Sequence, residues 1–405
     1  MTTRRSVLGL AGVAVLGACT SRVSGSAPAA RGEPLLVATN DGLVVVDSAT
    51  GAAAQAVPAR IATADSNWLV GTRAMPSGTE VSVRATRSGQ LIFAGTSPGR
   101  LDARVVSSDG RLVALVDGPP GPRTRTTVVV VDSGGERVRY DLPGNLEPEA
   151  FSVTGEHLYV LDYLPPTAPD RYRVRGLDLA AGVTRPLSTR DKVPVPAGAE
   201  EEMRGEGRQA VYDPTRRMLF TLYTHQPDHQ HTRDLLAARP GSHVHAFVHS
   251  LNVEQNWAYC IDLPAPFGEG PAAGHAIAQG GHWLYVVDAH SGSVARIDPA
   301  ALTVLEVQTV GPLPGAAAVS ATWDGGLVIA SGTRVLAVPA DPTSTLARRE
   351  FAAGTPARGV AVSRDNRRAY VGQDGAVLPL DLATGAVGAP VRVDGLVAVR
   401  SVLAA

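Results

Sequence analysis

Val360–Val387 reads VAVSRDNRRAYVGQDGAVLPLDLATGAV. Four short runs rich in Val, Leu and Tyr are separated by Ser363-Arg364-Asp365-Asn366, by Asp374-Gly375 and by Asp381-Leu382-Ala383-Thr384-Gly385. Short β-rich runs bounded by Asp, Asn, Ser and Gly predict strands joined by tight turns, here an antiparallel four-strand meander. Such a sheet is apolar on both faces and cannot bury them by itself, so it requires neighbours of the same kind.

The neighbours are present along the chain. Leu35–Gly51 reads LLVATNDGLVVVDSATG, and Val105–Asp117 reads VVSSDGRLVALVD. Phe151–Asp162 (FSVTGEHLYVLD) is answered by Gly176–Gly182 (GLDLAAG). Val211–Tyr223, Trp283–Asp298 and Ala321–Ala330 supply further copies, and the copies over Ile61–Gly99 and around Trp323 depart most from the pattern. Self-similarity at a fixed spacing is the mark of a repeat architecture. No segment after the N-terminus sustains a helical apolar period.

With their S-x-D-G and D-x-x-T-G turns, these units resemble the YVTN-type repeats of bacterial β-propellers. The resemblance covers about nine-tenths of the chain and implies an all-β fold, a single closed β-propeller of four-stranded blades. The turn alignment gives eight blades, roughly 46 residues each over 34–405; seven of about 53 is the alternative. The first copy begins at a second strand, and the chain finishes on an orphan strand, Leu396–Leu403 (LVAVRSVL). Pairing of 396–403 with the N-terminal blade would close the ring and remove two open edges. Asp47, Asp132, Asp178, Asp298 and Asp381 recur at one repeat position, which assigns them to turn backbones. Trp68, Trp257, Trp283 and Trp323 are expected to pack between blades.

The first nineteen residues, MTTRRSVLGLAGVAVLGAC, have a charged start and an apolar run too short to span a membrane. Leu16-Gly17-Ala18-Cys19 resembles a bacterial lipobox, and Thr3–Leu8 resembles a twin-arginine export motif, although Val7 stands where that motif prefers Phe. The resemblance implies a lipoprotein signal peptide over 1–18 and diacylglyceryl transfer to Cys19. Residues 19–33 then form the lipidated end and a small, polar tether, with 34–405 as the propeller. The expected location is the extracytoplasmic face of the cell membrane.

The 405 residues carry a net charge of −1, with 44% hydrophobic and 19% charged residues. That balance excludes wholesale disorder and offers no electrostatic case for nucleic acid. Two cysteines, Cys19 and Cys260, make no disulfide framework. Phosphate loops, G-x-S-x-G, H-E-x-x-H and C-x-x-C are all missing.

Chemistry concentrates in one insertion. Of ten histidines, all but His157 fall between His225 and His290, and the densest part is Thr224–Ser250, THQPDHQHTRDLLAARPGSHVHAFVHS. A strand over Ser242–Asn252 would place His243, His245, Phe247 and His249 on one face. His225, Asp228, His229 and His231 lie on a loop able to fold back, and Cys260 on the next strand can add a thiolate. Imidazole and thiolate suit Zn²⁺ and Cu²⁺; the alternative is a solvated loop, with Cys260 an inert small hydrophobe. Glu200-Glu201-Glu202, Arg204, Glu206 and Arg208 read as a solvated charge run. The leading expectation is a lipid-anchored, monomeric binding or scaffold module for a protein or cell-envelope ligand, with no cofactor. Metal binding or sensing through His243, His245 and His249, completed by His225, His229, His231 or Cys260, is the alternative. A propeller hydrolase or lactonase is the second.

Overall fold

The computed structural model describes residues 32–53, 59–204, 206–226, 229–241 and 245–403. Cys19, the signal peptide, Asp228 and His243 lie outside the described residues. Among the described residues helix is limited to Thr232–Leu236 and a single 3-10 turn, Ala272–Gly274. Everything else of regular structure is strand.

The strands form eight sheets. Blade 8, the stretch quoted first, runs outward through Val360–Val362, Arg368–Gln373, Ala376–Asp381 and Val391–Arg392. Blade 2, one of the two copies weakest in sequence, is complete: Ile61–Ala62, Trp68–Met75, Gly78–Ala85 and Leu91–Ser97. The seven-blade alternative is therefore excluded. Blade 5 consists of Glu206–Asp213, Met218–Thr224, Ala246–Asn252 and Trp257–Asp262, and Ser188–Thr189 adds a parallel fifth strand outside it.

Closure follows from the cores. One apolar cluster fills each junction between consecutive blades, from Val70, Val83, Leu115 and Val129 between blades 2 and 3 round to Leu36, Val45, Leu69 and Leu403 between blades 1 and 2. The junction of blades 8 and 1 is packed by Val37, Tyr370, Leu396 and Val399. Leu396–Val402 pairs antiparallel with Pro34–Thr39, which in turn pairs with Gly42–Asp47. The C-terminal strand thus takes the innermost place of blade 1, as its orphan position implied. Blade 1 has three assigned strands, and among the described residues the isolated bridges Val46–Ala53 and Leu43–Ala59 continue it outward.

Repeated turn chemistry shapes every blade. Ser107 Oγ accepts hydrogen bonds from the backbone N–H of Arg111 and Leu112, and Ser363 Oγ accepts from Arg368 N–H. Asp47, Asp178, Asp298 and Asp381 each accept from two backbone N–H groups of the following turn. Gly110 has φ +72, and a Cβ there would stand 2.7 Å from the Trp68 ring, so conformation and packing both require glycine. Trp68, Trp257 and Trp283 pack as expected, whereas Trp323 is 71% exposed at the tip of a turn.

Because neighbouring strands are antiparallel, the first and third turns of each blade share one face of the ring. The second turn and the link to the next blade share the other. Gly32, Trp323 and the Asp turns are on the first face. The His-rich insertion, which joins the second and third strands of blade 5, is on the opposite one.

Candidate functional site

The site lies where blade 5 meets blade 4. The connection between them brings Glu200–Met203 against the third strand of blade 4, with Met203 and Tyr172 exchanging backbone hydrogen bonds. Glu200 is buried and clamped by Arg173 and Arg175. Glu201 points the other way, into the junction. The reading of this run as solvated holds for Glu202, Arg204 and Arg208, which are exposed, and is corrected for Glu200 and Glu201, the first covered by Arg173 and Arg175 and the second by the folded-back insertion.

Three donors converge on Glu201 Oε1. His229 Nε2 stands 2.8 Å away, His231 Nδ1 3.0 Å and Cys260 Sγ 2.9 Å. The ligand atoms of Glu201, His231 and Cys260 all lie within 4.8 Å of one another. His231 begins the short helix Thr232–Leu236, whose Asp234 side chain reaches back to the His231 N–H. Its second ring nitrogen, Nε2, donates to Asp262 Oδ1 at 2.5 Å. Arg233 holds the other Asp262 oxygen at 2.6 Å and the Cys260 carbonyl at 2.7 Å. His229 stacks on Phe247 with ring centroids 4.5 Å apart.

Burial and charge set the protonation states. Burial opposes a charge on His231, but its bonds to Asp262 and Glu201 outweigh that and lift its pKa to about 9. Glu201 is held well below the ordinary carboxylate range: burial works against ionisation, and the hydrogen bonds from His229 and His231 more than offset it. Burial, then the neighbouring Glu201 charge, push the Cys260 thiol far up. His249 faces Tyr223 edge-on, and burial drives its pKa down to about 4.

The sequence candidates separate accordingly. His229, His231 and Cys260 are brought together, with Glu201 added. His249 is cross-strand partner to Cys260, buried on the same junction. The strand expected from Ser242 starts at Ala246, so alternation does not extend to His245, which is exposed outside it. His225 bonds Thr224 and turns toward His275, away from the cluster.

A cavity of about 710 Å³ opens beside the cluster, and Glu201, His231, His249 and Cys260 are in its wall together with Arg190 and Tyr259. Three protein donors with a fourth direction facing a cavity is the arrangement of an exchangeable metal centre, as opposed to a closed structural one. The donor set fits a borderline-soft divalent ion, which binds thiolate at about 2.3 Å and imidazole or carboxylate at about 2.0–2.2 Å. A carboxylate behind the histidine, here Asp262, fixes ring orientation and raises ligand basicity. Nucleophilic catalysis is poorly served, since Cys260 donates to a carboxylate and stays a thiol.

A second cavity, about 410 Å³, lies in the central channel along blades 2 to 5. Of the charged groups in its wall, Arg104 pairs with Glu147 and Arg208 with Glu149, while Asp65 accepts from Asn67.

No family model and no curated protein matches the chain. In structure the chain is similar to the dihydro-heme d1 dehydrogenase NirN in complex with DHE, with TM-score 0.51 and 14% identity over 91% of this chain and 75% of that one. It is also similar to apo AztD from Citrobacter koseri, with TM-score 0.52 and 10% identity over 91% of this chain and 97% of that one. These likenesses define the class, a β-propeller, and at such identities they speak for the fold alone.

Proposed function

We propose that this propeller is a membrane-tethered, extracytoplasmic binding protein whose ligand is a divalent transition-metal ion of the Zn²⁺ class. Glu201, His231 and Cys260 supply the protein ligands, Asp262 orients His231, and the cavity provides the exchangeable position. The single observation that carries the reading is the buried Glu201–His231–Cys260 cluster backed by Asp262. A bound ion would be held by Glu201, His231 Nδ1 and Cys260 Sγ in place of the two protons these groups share, which would leave to solvent. Elemental analysis of untagged protein tests this: about one equivalent of metal is expected, and a content far below that, with no metal-induced stabilisation, overturns it. Copper competes for the same donors, and the analysis distinguishes it.

Cys19 would carry the lipid that keeps the protein at the membrane; release of a Cys19→Ser variant into the medium is the expected readout. A protein partner is supported by Val193 and Leu236, 49% and 40% exposed at the cavity wall. Exposed apolar side chains around a ligand mouth are suited to a docking partner that receives or delivers the ion. A photo-crosslinker at Leu236 should capture one envelope protein, and a Leu236→Glu variant should lose it.

A further inference from the structure

Trp323 is the most exposed large apolar side chain among the described residues, and it stands on a braced turn. Thr322 Oγ1 accepts from Gly326 N–H and donates to Asp324, which also accepts from Thr345 of the next turn outward. A Cβ on Gly281 of blade 6 would stand 2.0 Å from the Trp323 carbonyl oxygen, so the neighbouring turn supports the backbone from below. On the other side, Asn366 of blade 8 donates to Asp324, and Arg364 of the same blade-8 turn donates through its N–H to Glu33. Trp323 is therefore two turns away from Gly32, where the described chain begins.

We propose that this face of the ring lies against the lipid surface and that Trp323 enters the headgroup region. The proposal rests on the tether reading and is independent of the metal. Residues 20–32 have the composition of a linker with roughly 20 Å of r.m.s. reach. A lipid on Cys19 therefore holds Gly32, and with it Trp323, at high effective concentration beside the bilayer. Under that condition a weak contact becomes a populated one. Tryptophan is the side chain that favours the interface, with an apolar ring and one N–H to satisfy. Arg364 and Arg367 are exposed on the blade-8 turn that meets Glu33, and can reach anionic headgroups between the carboxylates of the same face. The metal site and its cavity then face away from the membrane, open to whatever approaches from outside.

The test uses the lipidated full chain reconstituted into phosphatidylglycerol–phosphatidylethanolamine vesicles with brominated acyl chains. Fluorescence is compared between the wild type and Trp323→Ser. Trp68, Trp257 and Trp283 are shielded by packing, so the emission lost in Trp323→Ser reports position 323. We expect that component to be blue-shifted by the vesicles and quenched at least twofold by the brominated lipid, with metal content unchanged. Cofractionation with vesicles but an unquenched Trp323 overturns the proposal and leaves the tether reading intact. No cofractionation overturns both. A Trp323 component already blue-shifted in buffer, together with a concentration-dependent mass, assigns the ring to a second copy of this chain and also overturns it.

Discussion

Replacing Cys260 by serine removes the thiolate but leaves a hydroxyl able to donate to Glu201, so the metal-free fold should be almost unaffected. Wild-type protein at a free Zn²⁺ concentration one hundred times its Kd should gain about 2.7 kcal/mol. For a ring of roughly 370 residues the entropy of unfolding is about 0.8 kcal/mol per kelvin, so Tm should rise by about 3 °C. Loss of an outer-shell partner costs about 10–100-fold in metal affinity, and loss of a direct ligand should reach at least the upper figure. At the same Zn²⁺ concentration Cys260→Ser then sits at or below half-saturation. It should gain no more than about 0.4 kcal/mol, or about half a degree. Scanning calorimetry of chelator-treated protein, with and without Zn²⁺, reads both numbers. Equal shifts in wild type and variant would refute the assignment of Cys260 as ligand; no shift in either would refute the site.

Asp262→Asn keeps a hydrogen-bond acceptor for His231 but removes the charge, and should weaken Zn²⁺ binding about 10–100-fold by competition titration. An affinity within twofold of wild type would mean that Asp262 does not tune the ligand. The metal-free protein should be most stable near pH 6.5. His231, raised to about 9, stabilises fully below the unfolded value and loses that contribution as pH climbs through 9. His249, depressed to about 4, leaves the unfolded chain to bind the extra proton below 6.5, so stability also falls on acidification from there. His231→Gln should flatten the alkaline limb and His249→Phe the acid limb of urea midpoints measured across pH. Finally, Val399→Asp would place an unpaired charge in the junction of blades 8 and 1, at a cost of several kcal/mol, and should prevent accumulation of folded protein. A permutant joining Leu403 to Pro34 and opened in the exposed loop at Pro119-Pro120 should melt within a few degrees of wild type.

The ring was legible because its information is local and repeated. Serine or threonine opening the first turn, and aspartate opening the third, bond their own backbones wherever they occur, and alternation fixes which face each strand buries. Blade 2 was hard to read because Ser66, with φ 61, stands where Gly110, Gly155 and Gly325 stand in other blades, and Ala85 stands where other third turns open on aspartate; Thr63 and Asp65 still bond their own backbone. The site was only half legible. His229, His231 and Cys260 stood out by residue type, but Glu201 sits in a charge run whose burial arises only when two blades and the insertion meet. The alternation that nominated His243 and His245 assumed a strand four residues longer than the one formed. Trp323 did carry a readable signal. It occupies the second position of a T-x-D-G turn, and the equivalent Ser108 and Arg364 are exposed as well.

The strand that fills the innermost place of blade 1 is synthesised after every other strand of the ring. Until it emerges from the ribosome, Pro34–Thr39 has a free edge and the flank of blade 8 is uncovered, so the nascent chain carries two sticky surfaces throughout elongation. Final assembly is thus a single late event, and a holdase that shields those two surfaces would decide how much of the translated chain ends as a ring and how much aggregates.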